Sequence, residues 1–177
     1  MSSVRTDENV TEPQRLHRFD RWLYRGGRPN RLARLLNRIS ATHFASGVLT
    51  QSNWVTLEVP GRRTGRTISF PLVVADYEEE RYLVSMLGQN ANWVHNVRYA
   101  GGRVSMRHGR REPVQLEEVE VGARAPILRR YLDCAPGARA HVPVDRHAPL
   151  EEFDRIAGQY PVFRVTAVRS DPGPNGV

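Results

Sequence analysis

From Asn53 onward the apolar residues fall on every second position: Val55, Leu57 and Val59 alternate with Trp54, Thr56 and Glu58. A period of two is the mark of a strand with one buried face. The turn Pro60 to Gly65 leads into a second such run, Thr67 to Ala75. A polar turn at Asp76 to Glu80 leads into a third, Arg81 to Leu87. Turns this short join antiparallel neighbours. Gly88 to Ala91 is then a loop, Asn92 caps a short helix through Tyr99, and Gly101-Gly102 ends it. Val104 to Arg107 and Glu112 to Val121 form a hairpin. A helix from about Ala123 to Cys134, a Pro-rich loop through Pro149, a short helix over Leu150 to Gly158 and a last strand Pro161 to Val168 complete the order. Hairpin-linked strands with inserted helices predict an α+β fold on a mainly antiparallel sheet, closed or half closed, rather than a doubly wound parallel one.

Ahead of this region the period is helical. Thr11 and Gln14 read as a capping box that opens a helix running to about Tyr24, stopped by Gly26-Gly27. A second helix begins near Pro29-Asn30. Leu32, Leu35, Leu36 and Ile39 form its apolar stripe, and Arg31, Arg34 and Arg38 lie off it. A basic amphipathic helix of this kind either packs on the domain with a solvated Arg face or lies on an anionic membrane surface. The expected division is a disordered tail over 1–12, basic amphipathic helices over 13–45, a sheet domain over 46–169 and a disordered tail over 170–177.

A chain of 177 residues has room for one sizeable core. Its net charge of +7 is carried by Arg rather than Lys, and guanidinium groups fork onto carboxylates and phosphates. The basic residues nonetheless sit at unrelated points, with no aromatic-basic stripe or recognition helix, so no nucleic-acid partner is expected. Cys134 is the only cysteine, which excludes an intramolecular disulfide and a multi-Cys zinc site and makes a reducing, cytoplasmic location the default. Cys134 itself lies in a helical pattern and reads as a small core residue. No stretch approaches the roughly 18 apolar residues of a spanning helix. Dinucleotide, Walker, zincin and serine-hydrolase fingerprints are absent. A metal site from His141, Asp145 and His147 is imaginable, but the spacing matches no familiar ligand set, and no metal is expected.

Two clusters could carry chemistry. The turn Gly61-Arg62-Arg63-Thr64-Gly65, with Arg66 beyond it, can turn guanidinium groups and unhindered backbone N–H groups toward one anion; Gly and Arg are equally ordinary in a solvated hairpin turn. In the second, Ser85 to Asn96, a strand ends in a Gly/Asn loop that feeds a helix N-terminus, a place that favours an anion. Trp93 there either walls a planar ligand or is simply core.

At these clusters the chain resembles the deazaflavin-dependent nitroreductase family, whose members bind the 8-hydroxy-5-deazaflavin coenzyme F(420) on a split β-barrel similar to the FMN-binding barrels. The resemblance rests on Leu57 to Leu72 and on Trp93 to Asn96, and extends loosely from about Ala41 to Val168. It implies that Arg62, Arg63 and Thr64 hold the coenzyme's phosphate and oligoglutamate tail. Ile68, Ser69, Phe70, Pro71 and Leu72 would run along the ring, partly through backbone. Ser85 and Met86 would meet it from the next strand, and Asn92, Trp93 and Asn96 from the short helix. Family members often carry basic residues where this chain has Ile68 and Met86. Phe153 and Tyr160 are the nearest aromatics to a substrate lid. The resemblance implies hydride transfer from reduced F(420) to an electron-poor small molecule such as a quinone, an activated alkene or a nitroaromatic, by a monomer or weak dimer. No acid or base is assigned. A barrel holding FMN or haem, and a non-catalytic carrier of F(420), FMN, haem or an apolar ligand, are the alternatives.

Overall fold

The computed structural model describes residues 53–168; the expectations for the N-terminal helices and both tails lie outside the described residues. Six strands form a closed, wholly antiparallel ring in the order β1-β2-β3-β6-β5-β4. They are β1 Trp54–Pro60, β2 Thr67–Tyr77, β3 Glu80–Val84, β4 Arg103–His108, β5 Arg110–Glu118 and β6 Val162–Ala167. Three helices interrupt them: α1 Asn92–Tyr99, α2 Arg124–Cys134 and α3 Leu150–Ile156. The mainly antiparallel barrel expected from the strand pattern is what the chain forms.

The alternation read in β1 sets the inside of the barrel. Val55, Leu57 and Val59 are buried and stand opposite Leu72, Phe70 and Ile68; facing residues of an antiparallel pair share a face, so all six point inward. Met106 opposite Leu57, Phe163 opposite Leu83 and Val165 opposite Leu116 continue that interior round the ring.

A second core lies on the outer face. Val73, Ala75, Val84 and Val162 pack there with Ile127, Leu128, Tyr131 and Leu132 of α2 and with Phe153 of α3. This is why Val73, Val74 and Ala75 are buried in succession: the middle of β2 is covered on both faces, and strict alternation stops there.

Boundaries shifted where local hydrogen bonds end a strand early. β3 stops at Val84, three residues short of the apolar run, because Ser85 Oγ donates to the Gly88 carbonyl at 2.8 Å and Gly88 N–H returns to the Ser85 carbonyl at 3.0 Å. β5 stops at Glu118, and Val121–Ala123 make a 3-10 turn into α2 instead of extending the strand. Asn92 is not the cap of α1: the N-cap position is Ala91, with no side-chain capping bond, and Asn92 is already helical and exposed. The helix ends as expected, with Gly101 and Gly102 at φ of 61° and 77° and Gly102 N–H on the Val97 carbonyl.

Candidate functional site

The pairing of β2 changes partner along its length. Thr67 to Val73 are held by β1, whereas β3 joins the other edge only from Val74 onward. Beside the first half of β2, therefore, no strand among the described residues takes up the second row of backbone N–H and C=O groups. A slot in the ring begins where the Gly61–Gly65 turn delivers the chain into β2.

That turn is satisfied from within. Gly61 N–H donates to the Arg66 carbonyl at 2.9 Å, while Thr64 and Gly65 N–H groups donate to the Gly61 carbonyl at 3.2 and 2.8 Å. Arg66 N–H reaches Thr64 Oγ1 at 3.4 Å. Gly65 has a φ of 67°, a conformation open to glycine. Gly61 is buried, and a Cβ on it would come within 2.8 Å of Ile68 Cδ1 and 3.2 Å of the Arg66 carbonyl. The sequence suggests unhindered N–H groups at this turn, and the structure narrows that: those of Gly61, Thr64, Gly65 and Arg66 close the turn and that of Arg62 turns to Asn96, which leaves Arg63 N–H beside the guanidinium groups. Arg63, Thr64 and Arg66 are exposed, and Arg62 is half-buried.

Arg62 is half-buried because α1 holds it. Its backbone N–H and its Nη1 both donate to Oδ1 of Asn96, each at 3.3 Å. Asn96 is 2% exposed, and its Nδ2 has no acceptor among the described residues. Trp93, one turn earlier on α1, is also buried and packs on Phe163 of β6, with ring centroids 5.4 Å apart. The two predicted clusters are thus joined into one assembly by Arg62 and Asn96.

The predicted ring contacts divide by face. Ile68, Phe70 and Leu72 point into the barrel, where Phe70 is buried and Ile68 and Leu72 are half-buried. Ser69 and Pro71 lie half-buried on the outer face. Ser85 is buried, with its hydroxyl engaged on the Gly88 loop. Met86 packs against the outer core. Phe153 has no exposed surface, and Tyr160, 7% exposed, donates its phenol to the His141 carbonyl. Both belong to the outer core; a ring with no exposed surface does not present itself to a substrate.

One feature escaped the sequence reading. Glu118 accepts two bonds from Arg98 of α1, Nε to Oε2 at 2.8 Å and Nη2 to Oε1 at 2.7 Å, and a third from Nη2 of Arg124 at 3.1 Å. Arg124 is 4% exposed and also donates to the carbonyls of Val119, Ala157 and Tyr160. Arg98 reaches Gln89 as well, and Gln89 reaches the Gly158 carbonyl. The bonds to Arg98, and the Arg124 guanidinium beside it, hold the Glu118 carboxyl below the usual range. These residues lie too far apart in the chain for spacing to announce them.

Among the described residues no group of three or more His, Cys, Asp and Glu is placed to hold a metal ion. Asp145 instead accepts the His147 backbone N–H in a local turn. Burial pushes the Cys134 thiol up, away from the reactive thiolate. No described helix is long and apolar enough to cross a membrane.

No curated protein matches the chain. Among solved structures it is similar to an F(420)-H(2) dependent reductase, at 17% identity over 64% of this chain and 94% of that one, TM-score 0.45. A nimC/nimA family protein from Clostridium acetobutylicum gives 14% identity over 84% and 88%, TM-score 0.45. A conserved hypothetical protein from Mycobacterium tuberculosis gives 18% over 73% and 79%, TM-score 0.43. Likenesses this distant carry no functional argument. The sequence pattern of the F(420)H(2)-dependent quinone reductases, by contrast, matches residues 34–149, more than half of the chain. The protein belongs to the F(420)H(2)-dependent quinone reductase family.

Proposed function

We propose that this F(420)-dependent reductase seats its coenzyme with the anionic tail at the Gly61–Gly65 turn and the deazaflavin ring along the open edge of Thr67 to Val73. One observation carries the reading: a turn bearing exposed Arg63 and Arg66 opens directly into a strand half whose second row of backbone groups no strand among the described residues takes up. The residues present fit such a group. Guanidinium groups suit a phosphate and carboxylates, and a planar heterocycle finds backbone donors and acceptors along β2.

When bound, the reduced coenzyme supplies the hydride. The chain's part is binding, orientation and exclusion of water. Arg63 and Arg66 hold the tail, and Thr64 closes the turn that carries them. Ser69 and Pro71 set the outer wall beside the ring. Ser85 shapes the Gly88 loop, and Trp93, packed on Phe163, keeps α1 seated on the barrel. No side chain is assigned to proton transfer.

A quinone is the acceptor the family points to, and the basic amphipathic sequence pattern over 13–45 suits an anionic surface at which a membrane-resident quinone would be met. Pelleting of the full chain with anionic vesicles, against a chain lacking residues 1–45, decides that point.

The site is tested by titrating the protein with F(420), FMN and haem, for wild type and Arg63→Ala. Arg63→Ala is expected to weaken F(420) about tenfold, the loss of one charge-assisted contact. Unchanged affinity would remove the tail from this turn, and a preference for FMN or haem would overturn the coenzyme placement. Hydride transfer from reduced F(420) to menadione separates catalyst from carrier.

A further inference from the structure

We infer that Asn96 is a positioning residue that acts on the coenzyme's tail through Arg62, rather than a contact to the deazaflavin ring. The inference rests on the tail placement proposed above, and it changes what both residues do. Asn96 Oδ1 takes two bonds from one residue, the Arg62 backbone N–H and its Nη1, each at 3.3 Å and across 34 positions of sequence. The N–H is one of the two, with that of Arg63, that the turn's own bonds leave over between Gly61 and Thr64. The guanidinium fixes the side chain against the helix. Both halves of Arg62 are thereby committed, and Arg62 becomes a strut.

The consequence is a division of labour within the turn. Arg62 is half-buried and tied down, while the guanidinium groups of Arg63 and Arg66 are exposed and have no acidic partner among the described residues, so they can meet an anion. A planar guanidinium holds its grip only if its backbone is fixed, since ordering a mobile loop on binding costs affinity. Asn96 supplies that fixing from α1, whose own seat is secured by Trp93 on Phe163. Asn96 is 2% exposed, so its effect on a ligand passes through Arg62.

The test uses the full chain and two ligands: F(420), and the same deazaflavin lacking phosphate and glutamates. Asn96→Ala is expected to weaken F(420) about tenfold, on the scale of a buried bond to a charged partner, while the tail-less ligand changes less than about twofold. In a double-mutant cycle with Arg62→Ala, the two losses are expected to be non-additive, because the substitutions break one shared interaction. Equal weakening of both ligands, or additive losses, would overturn the inference. The second variant is Asn96→Asp, which keeps the acceptor and drops the amide donor. It is expected to hold the F(420)-to-tail-less affinity ratio within about threefold of wild type, and a fall as deep as in the alanine variant counts against it. Amide exchange of residues 61–66 without any coenzyme provides an arm independent of ligand identity. It should quicken about tenfold in Asn96→Ala, and unchanged exchange overturns the strut. Failure of wild type to bind F(420) would sink the coenzyme placement and leave the exchange result standing on its own.

Discussion

The indole of Trp93 lies 5.4 Å from the ring of Phe163, with the two planes inclined at 57°. Among the described residues this tilted contact is the one aromatic pair that joins α1 to the barrel interior, and it places a helix that also carries Asn96. Trp93→Ala is expected to cost about 3–5 kcal/mol, the range for a large-to-small change in a packed core. Trp93→Phe should cost much less. Denaturant melts of the two variants check this; equal losses would mean that ring packing is not what seats α1.

Glu118 joins Arg98 of α1 to Arg124 of α2 and carries a lowered pKa, chiefly from its bonds to Arg98. A carboxyl whose folded pKa lies below its ordinary 4.5 contributes stability that is present above that value and lost as pH falls through the folded one. Glu118→Gln should therefore lower the melting temperature at neutral pH by an amount reflecting about 2 kcal/mol. The gap to wild type should narrow as the pH is taken below 4.5. A gap that stays constant down to unfolding would show that the carboxylate charge is not what matters.

The β2–β3 hairpin turns through Glu78 and Glu79 with φ of 48° and 63°. Both are left-handed conformations that side chains disfavour by roughly 1–2 kcal/mol each. Glu79→Gly, or Glu78→Asn with Glu79→Gly, should raise stability by about 1 kcal/mol, because such two-residue turns favour Asn-Gly. A midpoint in urea that fails to rise contradicts the turn geometry.

Glycines at positive φ are not equivalent. Gly102, at 77°, backs onto the Leu116 carbonyl, and a Cβ there would collide with it. Gly109, at 71°, faces open space. Gly109→Ala should cost about 1 kcal/mol from backbone conformation alone, and Gly102→Ala at least about 3 kcal/mol, since a backbone shift is added to that strain. Matched thermal melts that rank the pair the other way would refute the distinction.

The barrel was legible because alternation is a property of the chain itself: Val55, Leu57 and Val59 announce their face without help from distant residues. What spacing does not carry is which layer covers the other face. Thr67 to Ala75 read as one strand, yet the sequence has no sign that α2 would bury Val73 and Ala75 from outside. Phe153 and Tyr160 were expected near a substrate as the nearest aromatics to the lid that the resemblance implies; they fill that same outer core. Ser85 and Asn96 were expected to meet the ligand; in the structure their polar atoms turn toward Gly88 and Arg62. Asn92 was mistaken for a cap because Asn is a frequent one, whereas α1 begins one residue earlier at an alanine that offers no side-chain acceptor.

The turn from Gly61 to Gly65 spends most of its amide groups on itself, leaving recognition to exposed guanidinium groups. Charges in that position act through solvent, and screening extinguishes them beyond about 8 Å at physiological ionic strength. With the tail placed there as proposed, its grip would be a function of the medium: glutamates far along a long tail would register in dilute buffer and fall silent in concentrated salt. The phosphate nearest the ring, set against Arg63 and Arg66, would be the last to be released.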